Sequence, residues 1–588
     1  MAIKHNRIPF SVHLTGLRVL MAVIPLLTIL LFLTSCGGST VASARPDFAI
    51  SAPMPTGMPA PAPVPAPMAA SSPKMAESAA AYALPSMVSA MAPAPPDSAL
   101  AATAYSSLEY NTEEYDRIVD NPFLKAMDNP VSTFSIDVDT ASYANLRRFL
   151  VESREMPPKD AVRIEEMLNY FTYSYPVPTG EHPVTAYFSM TEAPWAPDHW
   201  LLRVALKAQE IETAQLPSSN LVFLLDTSGS MMDDNKLPLL KDSLKILIEK
   251  LRPEDRVSIV AYAGTTGLIL DSTSAAHKET IINAFTQLEA SGSTAGGAGI
   301  QLAYEVAKRN FITGGNNRVI LCTDGDFNVG VSSSSELERL IEEKRKDNIY
   351  LTVIGVGMGN YKDSRMETLA DKGNGNYAYI DNLLEGKKVL GKEIWGNLFA
   401  VAKDVKIQIE FNPAMVREYR LIGYENRMLA REDFNDDTKD AGEMGSGQTV
   451  TAFYELIPQS APAQTGATTP PPSEPLVFQQ ASLVDSTDVL AFRLRYKEPD
   501  DGQEESRLIS LRLNTEALYR KPSAIDEDFR FASAVVQLGM LLRDSPYKGT
   551  TTYQTAMDLA RMSKGPDLEG YRAEFVRLVE LAELLDRD

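Results

Sequence analysis

Two short, unbroken apolar runs, each halting just before an aspartate, limit the folds open to this chain more than any other feature. Leu221-Val-Phe-Leu-Leu225 precedes Asp226, and Val319-Ile-Leu-Cys322 stops one threonine short of Asp324. A strand that is apolar at every position offers no face to water, so it belongs in a sheet covered on both sides. Open parallel α/β sheets bind ligands beyond the carboxyl ends of their strands, where strand order reverses. If these two strands are neighbours, both carboxylates lie at one such mouth.

Three segments supply the chemistry there: Asp226-Thr-Ser228-Gly-Ser230, Ser291-Gly-Ser-Thr294-Ala-Gly-Gly297 and Cys322-Thr-Asp324-Gly-Asp326. The second is a glycine-rich loop entering a helix, close enough to add a third hydroxyl. Ser228, Ser230, Thr294, Asp226 and Asp324 are all hard oxygen donors, without imidazole or thiolate, which selects Mg²⁺, Mn²⁺ or Ca²⁺ over zinc or copper. Neutral hydroxyls donate weakly, so a cation held mainly by them stays electrophilic and seeks a further anion. Such a site suits capture of a partner's Asp or Glu better than hydrolysis.

The order Asp-x-Ser-x-Ser, then Thr, then Asp resembles the metal-ion-dependent adhesion site of von Willebrand factor A domains, and no position departs from it. The resemblance implies direct coordination by Ser228, Ser230 and Thr294, with Asp226 and Asp324 acting partly through water. It also implies one open position for a protein ligand's carboxylate, and a binding module in place of an enzyme.

Strand and helix patterns alternate over 218–400. Leu237, Leu240, Leu244, Leu247, Ile248 and Leu251 mark one face of a first helix, and the short link from Val257–Tyr262 to Leu268–Leu270 allows only an antiparallel hairpin. Strand patterns precede this unit in 108–217 and follow it in 401–515, with helical spacing at Ala161–Phe171 and throughout 516–588. Neither flank has enough strands alone. The fold expected is therefore a doubly wound, Rossmann-like α/β domain inserted into a β-sandwich, with a C-terminal helical domain. Ser135 through Tyr143 to Pro157-Pro-Lys-Asp-Ala-Val-Arg-Ile-Glu-Glu166, Phe529-Arg-Phe-Ala-Ser-Ala534 through Gly539-Met-Leu-Leu-Arg543, and Gly570-Tyr-Arg-Ala-Glu-Phe-Val-Arg-Leu578 resemble the flanking domains of one bacterial family of A-domain lipoproteins.

The N-terminus points the same way. Lys4, Arg7 and Arg18 precede an apolar core over Val19–Leu33, short for a membrane span, and Leu33-Thr-Ser-Cys36-Gly37 resembles the bacterial lipobox. Residues 1–36 then read as a lipoprotein signal ending at the lipidated Cys36, with an uncleaved signal anchor as the alternative. By the same analogy, Gly37 after the cysteine favours the outer membrane where a cell has two. Residues 37–107 are rich in Ala, Pro, Ser and Met without aliphatic periodicity, so they read as an extended tether of roughly 2–3 Å per residue; proline-motif docking is its functional alternative. A net charge of −21 argues against nucleic acid or an anionic membrane surface as a direct partner. Membrane contact is expected through the lipid alone. Cys322 is the one other cysteine, so no internal disulfide is available once Cys36 carries lipid.

Rival chemistries carry less. Ile354-Gly355-Val-Gly357-Met-Gly359 follows a strand but lacks the full dinucleotide fingerprint and sits on a late strand; glycines easing a close passage past neighbouring loops explain it better. Gly292–Gly299 has no Gly-Lys-Ser/Thr and follows the wrong strand for a phosphate loop. Asp137-Val-Asp139 reads as a strand-end turn, and Asp233, Asp234 and Asp326 as solvated acids. A metal-dependent envelope hydrolase remains the alternative function.

Overall fold

Strands from both ends of the chain close around the central α/β unit. The computed structural model describes residues 112–136, 139–263, 266–292, 296–325, 334–461, 486–499 and 505–587. Cys36, the proline-rich stretch, Asp137, Thr294 and Asp326 lie outside them. Before the α/β unit come β1 (Leu124–Lys125), β2 (Val131–Ser135), α1 (Ala141–Arg148), α2 (Ile164–Asn169), β3 (Val184–Ala193) and β4 (Ala196–Ala208). The unit opens with β5 (Ser219–Asp226), α3 (Leu237–Lys250), β6 (Arg256–Tyr262), β7 (Thr266–Ser274), α4 (Lys278–Thr286) and α5 (Gly296–Arg309). It continues with β8 (Asn316–Thr323), α6 (Ser334–Lys346), β9 (Ile349–Val356), α7 (Asp363–Lys372), β10 (Tyr377–Ile380), α8 (Leu383–Lys387) and α9 (Ile394–Leu398). Beyond it lie β11 (Ala400–Phe411), β12 (Val416–Ile422), β13 (Gly442–Gly445), β14 (Thr449–Pro458), β15 (Asp488–Lys497) and β16 (Arg507–Asn514). The last helices are α10 (Thr515–Leu518), α11 (Glu527–Leu542), α12 (Tyr553–Met562) and α13 (Tyr571–Leu585).

The central sheet has the order β10-β9-β8-β5-β6-β7, parallel except for β7, which pairs with β6 as the expected hairpin. β5 and β8 are neighbours, and strand order reverses between them. Their unbroken apolar runs have a direct cause: alternate residues enter two separate cores. Leu221, Phe223 and Leu225 of β5, with Ile320 and Cys322 of β8, pack in the layer that holds Leu240, Leu244 and Leu247 of α3. Val222, Leu224, Val319 and Leu321 point the other way, into the layer of Ile300, Ala303 and Tyr304 from α5. Neither face of these strands meets water.

Both outer sheets mix strands from the two flanks. One has the order β1-β12-β14-β4-β3, in which β4 pairs with β14 from Lys207↔Thr449 to Trp200↔Leu456. The other has the order β13-β11-β15-β16, with β2 added on β11 through Ser135↔Lys406 and its neighbours. Leu202, Val204, Ile407, Ile409, Tyr454 and Phe492 share the core between them. The α/β unit is therefore an insertion in a β-sandwich.

Two features differ from the sequence expectation. The segment 108–217 carries an additional helix, α1, whose sequence Ala-Ser-Tyr-Ala-Asn-Leu-Arg-Arg is half polar although all eight residues are buried. Its polar side chains are taken inside by partners: Arg147 pairs with Asp381 and Glu385, and Arg148 with Glu113. Helices α11 to α13, read from the sequence as a domain over 516–588, have no core of their own. Phe531, Val535, Phe575 and Leu578 pack with Tyr143 and Leu146 of α1 and with Met167 and Leu168 of α2.

Candidate metal centre

Parallel register places Leu225 beside Cys322, so Asp226 and Asp324 emerge at the same edge of the sheet. The loop after β5 folds back on the first carboxylate: Ser228 N donates to Asp226 Oδ1 at 2.9 Å. That turn brings the Ser228 and Ser230 hydroxyl oxygens to 3.0 Å from each other. Two backbone bonds strap the glycine-rich loop onto this turn, Gly229 N to Gly292 O at 3.0 Å and Ser291 N to Thr227 O at 2.7 Å. Thr294, two residues beyond Gly292, is outside the described residues. Asp226, Ser228 and Asp324 are buried while Ser230 is exposed, so the site opens to solvent on the Ser230 side.

Three residues at the centre carried no signal as members of the motif. Tyr262 ends β6 opposite Asp226, and its hydroxyl donates to Asp226 Oδ2 at 3.0 Å. Thr323 adds a longer bond to the same oxygen, 3.3 Å. Lys236, in the turn before α3, brings its ammonium to 3.2 Å from Asp324 Oδ2. Tyr262 could have been picked out as the last residue of the strand that pairs with β5, but no spacing rule points to Lys236.

Burial holds the Asp226 carboxyl up at about 6, against an ordinary 3.8, although the bonds from Ser228 favour the anion. The nearby Asp324 charge acts in the same upward direction. Two buried carboxylates facing one mouth lined by hydroxyls fit a hard divalent cation: it would relieve the electrostatic cost that raises Asp226 and accept the serine oxygens as neutral donors. The described residues thus offer such an ion oxygen donors, with the Lys236 ammonium already beside one of them.

The late-strand glycines serve close passage. A Cβ at Gly355 would stand 2.8 Å from the Tyr361 ring, and one at Gly357, where φ is +76°, would meet the Lys236 stem at 2.5 Å. Asp139, in the other acidic motif, accepts from Tyr377 N at 2.8 Å and so ties the sandwich to β10. Asp233 is mostly exposed, and Asp234 is exposed too.

Comparison with known proteins agrees with this architecture. Residues 220–388 match the von Willebrand factor type A domain family, and residues 109–203 match a family described as von Willebrand factor. Residues 396–585 match the family described as uncharacterized protein YfbK, C-terminal. The chain is 44% identical over 480 residues to uncharacterized protein YfbK of Escherichia coli K12, a span of 80% of this chain and 81% of that protein. It is 20% identical over 317 residues to inter-alpha-trypsin inhibitor heavy chain H2 of Sus scrofa, 52% of this chain and 31% of the other. The solved structure of a von Willebrand factor type A protein from Catenulispora acidiphila aligns over 66% of this chain and 89% of its own, with 14% identity and a TM-score of 0.38. The type A domain supports a protein-interaction or adhesion-type role. With one family matched over the α/β unit, another over the C-terminal flank and close identity along most of its length, the chain belongs to the YfbK family of bacterial von Willebrand factor type A domain proteins.

Proposed function

We propose that this protein is a cell-envelope lipoprotein whose α/β domain holds a divalent cation and uses it to capture a protein partner through an Asp or Glu side chain. Mg²⁺ is the expected cation, with Mn²⁺ or Ca²⁺ as alternatives. One observation carries the reading: Asp226, Ser228 and Ser230 gather on one turn at the strand end next to the strand that delivers Asp324. Ser228, Ser230 and Thr294 are the direct donors in this reading. Asp226 and Asp324 supply the balancing charge from behind. When bound, the cation offers a Lewis-acidic attachment point for a carboxylate oxygen.

The chain's own residues do the rest. Tyr262 and the Ser228 amide hold Asp226 in place, so the mouth is oriented before any ligand arrives. Ser230 faces solvent and sets the side from which a partner approaches. Cys36 is the proposed lipid attachment, and residues 37–107 the tether that displays the domain away from the bilayer. Replacing Cys36 by Ser should release the protein from membranes or block its processing; membrane retention with an uncut N-terminus would indicate a signal anchor.

The test of capture is a crosslinking pull-down with the detergent-solubilised full-length protein, in Mg²⁺ and in chelator, alongside Asp226→Ala. Proteins recovered only by the wild type with Mg²⁺ support the reading. The same proteins recovered in chelator and by Asp226→Ala would place the working interface on the flanking domains.

A further inference from the structure

Lys236 stands where a free cation would be drawn. Its ammonium is 3.2 Å from Asp324 Oδ2 and 3.7 Å from Asp233 Oδ2, and the residue is only 6% exposed. Its backbone is fixed on both sides: Lys236 N donates to Asp233 O at 3.0 Å, and Lys236 O accepts from Leu240 N at 2.9 Å. The side chain is steered as well. It crosses Gly357, where an added Cβ would lie between 2.5 and 2.9 Å from three carbons of the lysine stem. Gly357 in turn is held by the Tyr379 hydroxyl, which donates to its carbonyl at 2.6 Å. A lysine with a free path would reach water with its charge and bury only its stem. This one buries both and aims at a carboxylate of the centre.

The consequence is electrostatic. Two like charges compete for one oxygen and repel each other over a few ångströms in a poorly screened site. A divalent cation that draws on Asp324 meets an ammonium already there. Asp233, on the same turn and with a side chain 69% exposed, gives that ammonium somewhere to go.

We propose that Lys236 is a built-in competitor of the divalent cation. It neutralises Asp324 in the metal-free protein, withdraws toward Asp233 as metal enters, and keeps metal affinity low. The idea rests on the reading of the centre as a cation site and deepens it. With the ammonium on Asp233, the metal and the two carboxylates of the centre balance without it, and the cost of uptake is the lost contact between Lys236 and Asp324.

Calorimetric titration of the detergent-solubilised full-length protein with Mg²⁺ decides the matter, comparing wild type, Lys236→Met and Lys236→Arg. Methionine keeps the stem and removes the charge. It should bind Mg²⁺ about tenfold more tightly or better, a step of about 1.4 kcal/mol, and its metal-free thermal midpoint should fall and recover on adding Mg²⁺. Arginine keeps the charge and should bind no more tightly than wild type. A folded Lys236→Met protein with unchanged or weaker uptake, beside a wild type that binds, overturns the role of Lys236 and leaves the cation site standing. No uptake by any of the three proteins overturns the cation site and this proposal together. Should Lys236→Met fail to fold, Asp233→Asn serves instead: losing the acceptor should weaken Mg²⁺ uptake severalfold, and unchanged uptake overturns the proposal.

Discussion

Asp226 sets the pH behaviour of the centre. Burial penalises its anion and pushes the carboxyl up to about 6 in the fold, against 3.8 ordinarily. Between those values the folded state holds a proton that the unfolded chain has lost. Metal-free protein should therefore lose stability as pH rises through that window, and the loss should be complete above about pH 6. A divalent cation takes the proton's place. Its stabilising effect should be small at about pH 5 and larger at about pH 7.5, which urea unfolding with and without Mg²⁺ would measure. Equal stabilisation at both would show that Asp226 is not at the cation. Asp226→Ala and Asp324→Ala should each abolish measurable Mg²⁺ uptake in calorimetry, whereas Thr294→Ala, which removes only a neutral hydroxyl, should weaken it less.

Asp226, Ser228, Ser230 and Asp324 were legible in the sequence because they occur as consecutive motifs at the ends of apolar runs. Tyr262 and Lys236 were not. Each reaches the centre through register or through a path across another segment's glycine, and a one-dimensional pattern records neither.

At the level of elements, periodicity revealed those whose burial is apolar. The strand β5 and the helix α3 were plain because Leu, Val, Ile and Phe fill most of their inward positions. The helix α1 was hidden because Ser, Asn and two Arg are buried beside its Ala, Tyr and Leu, and the arginines are satisfied by partners far along the chain. Arg147 shows how strong that tie is, with Nη2 at 2.5 Å from Asp381 and 2.6 Å from Glu385, and Nη1 at 2.8 Å from Glu574. It joins the first flank, the α/β unit and the last helix in one buried cluster. Arg147→Met strands three carboxylates and should cost roughly 3–5 kcal/mol in urea unfolding; a cost under about 1 kcal/mol would mean that the cluster is hydrated. Gly299 makes a separate point about packing. An added Cβ would stand 2.9 Å from Tyr262 Cβ and 3.2 Å from a Leu224 methyl carbon. Gly299→Ala should therefore cost about 1–3 kcal/mol and disturb the tyrosine that holds Asp226, so its Mg²⁺ affinity should fall along with its stability.

Across the whole molecule, the α/β unit is framed by a sandwich that neither flank can build alone. β4 pairs with β3 of its own flank on one edge but needs β14 on the other, and β2 pairs with β11. A chain truncated after residue 400 leaves those strands with open edges and apolar faces, and should aggregate on size-exclusion chromatography; a monodisperse truncated chain would show that the first flank folds alone. The sequence made the insertion legible through strand patterns on both sides of a self-sufficient unit. Which strands pair, and the sharing of one core by α1, α2 and α11 to α13, depend on contacts hundreds of residues apart that no local pattern encodes. Within this frame, crystals soaked in Mn²⁺ and measured for anomalous scattering test whether the strand-end turn holds a cation. One strong peak is expected within about 2–2.5 Å of the Ser228 and Ser230 hydroxyl oxygens, lost in Asp324→Ala. No peak at that position in well-ordered, Mn²⁺-saturated crystals would contradict it.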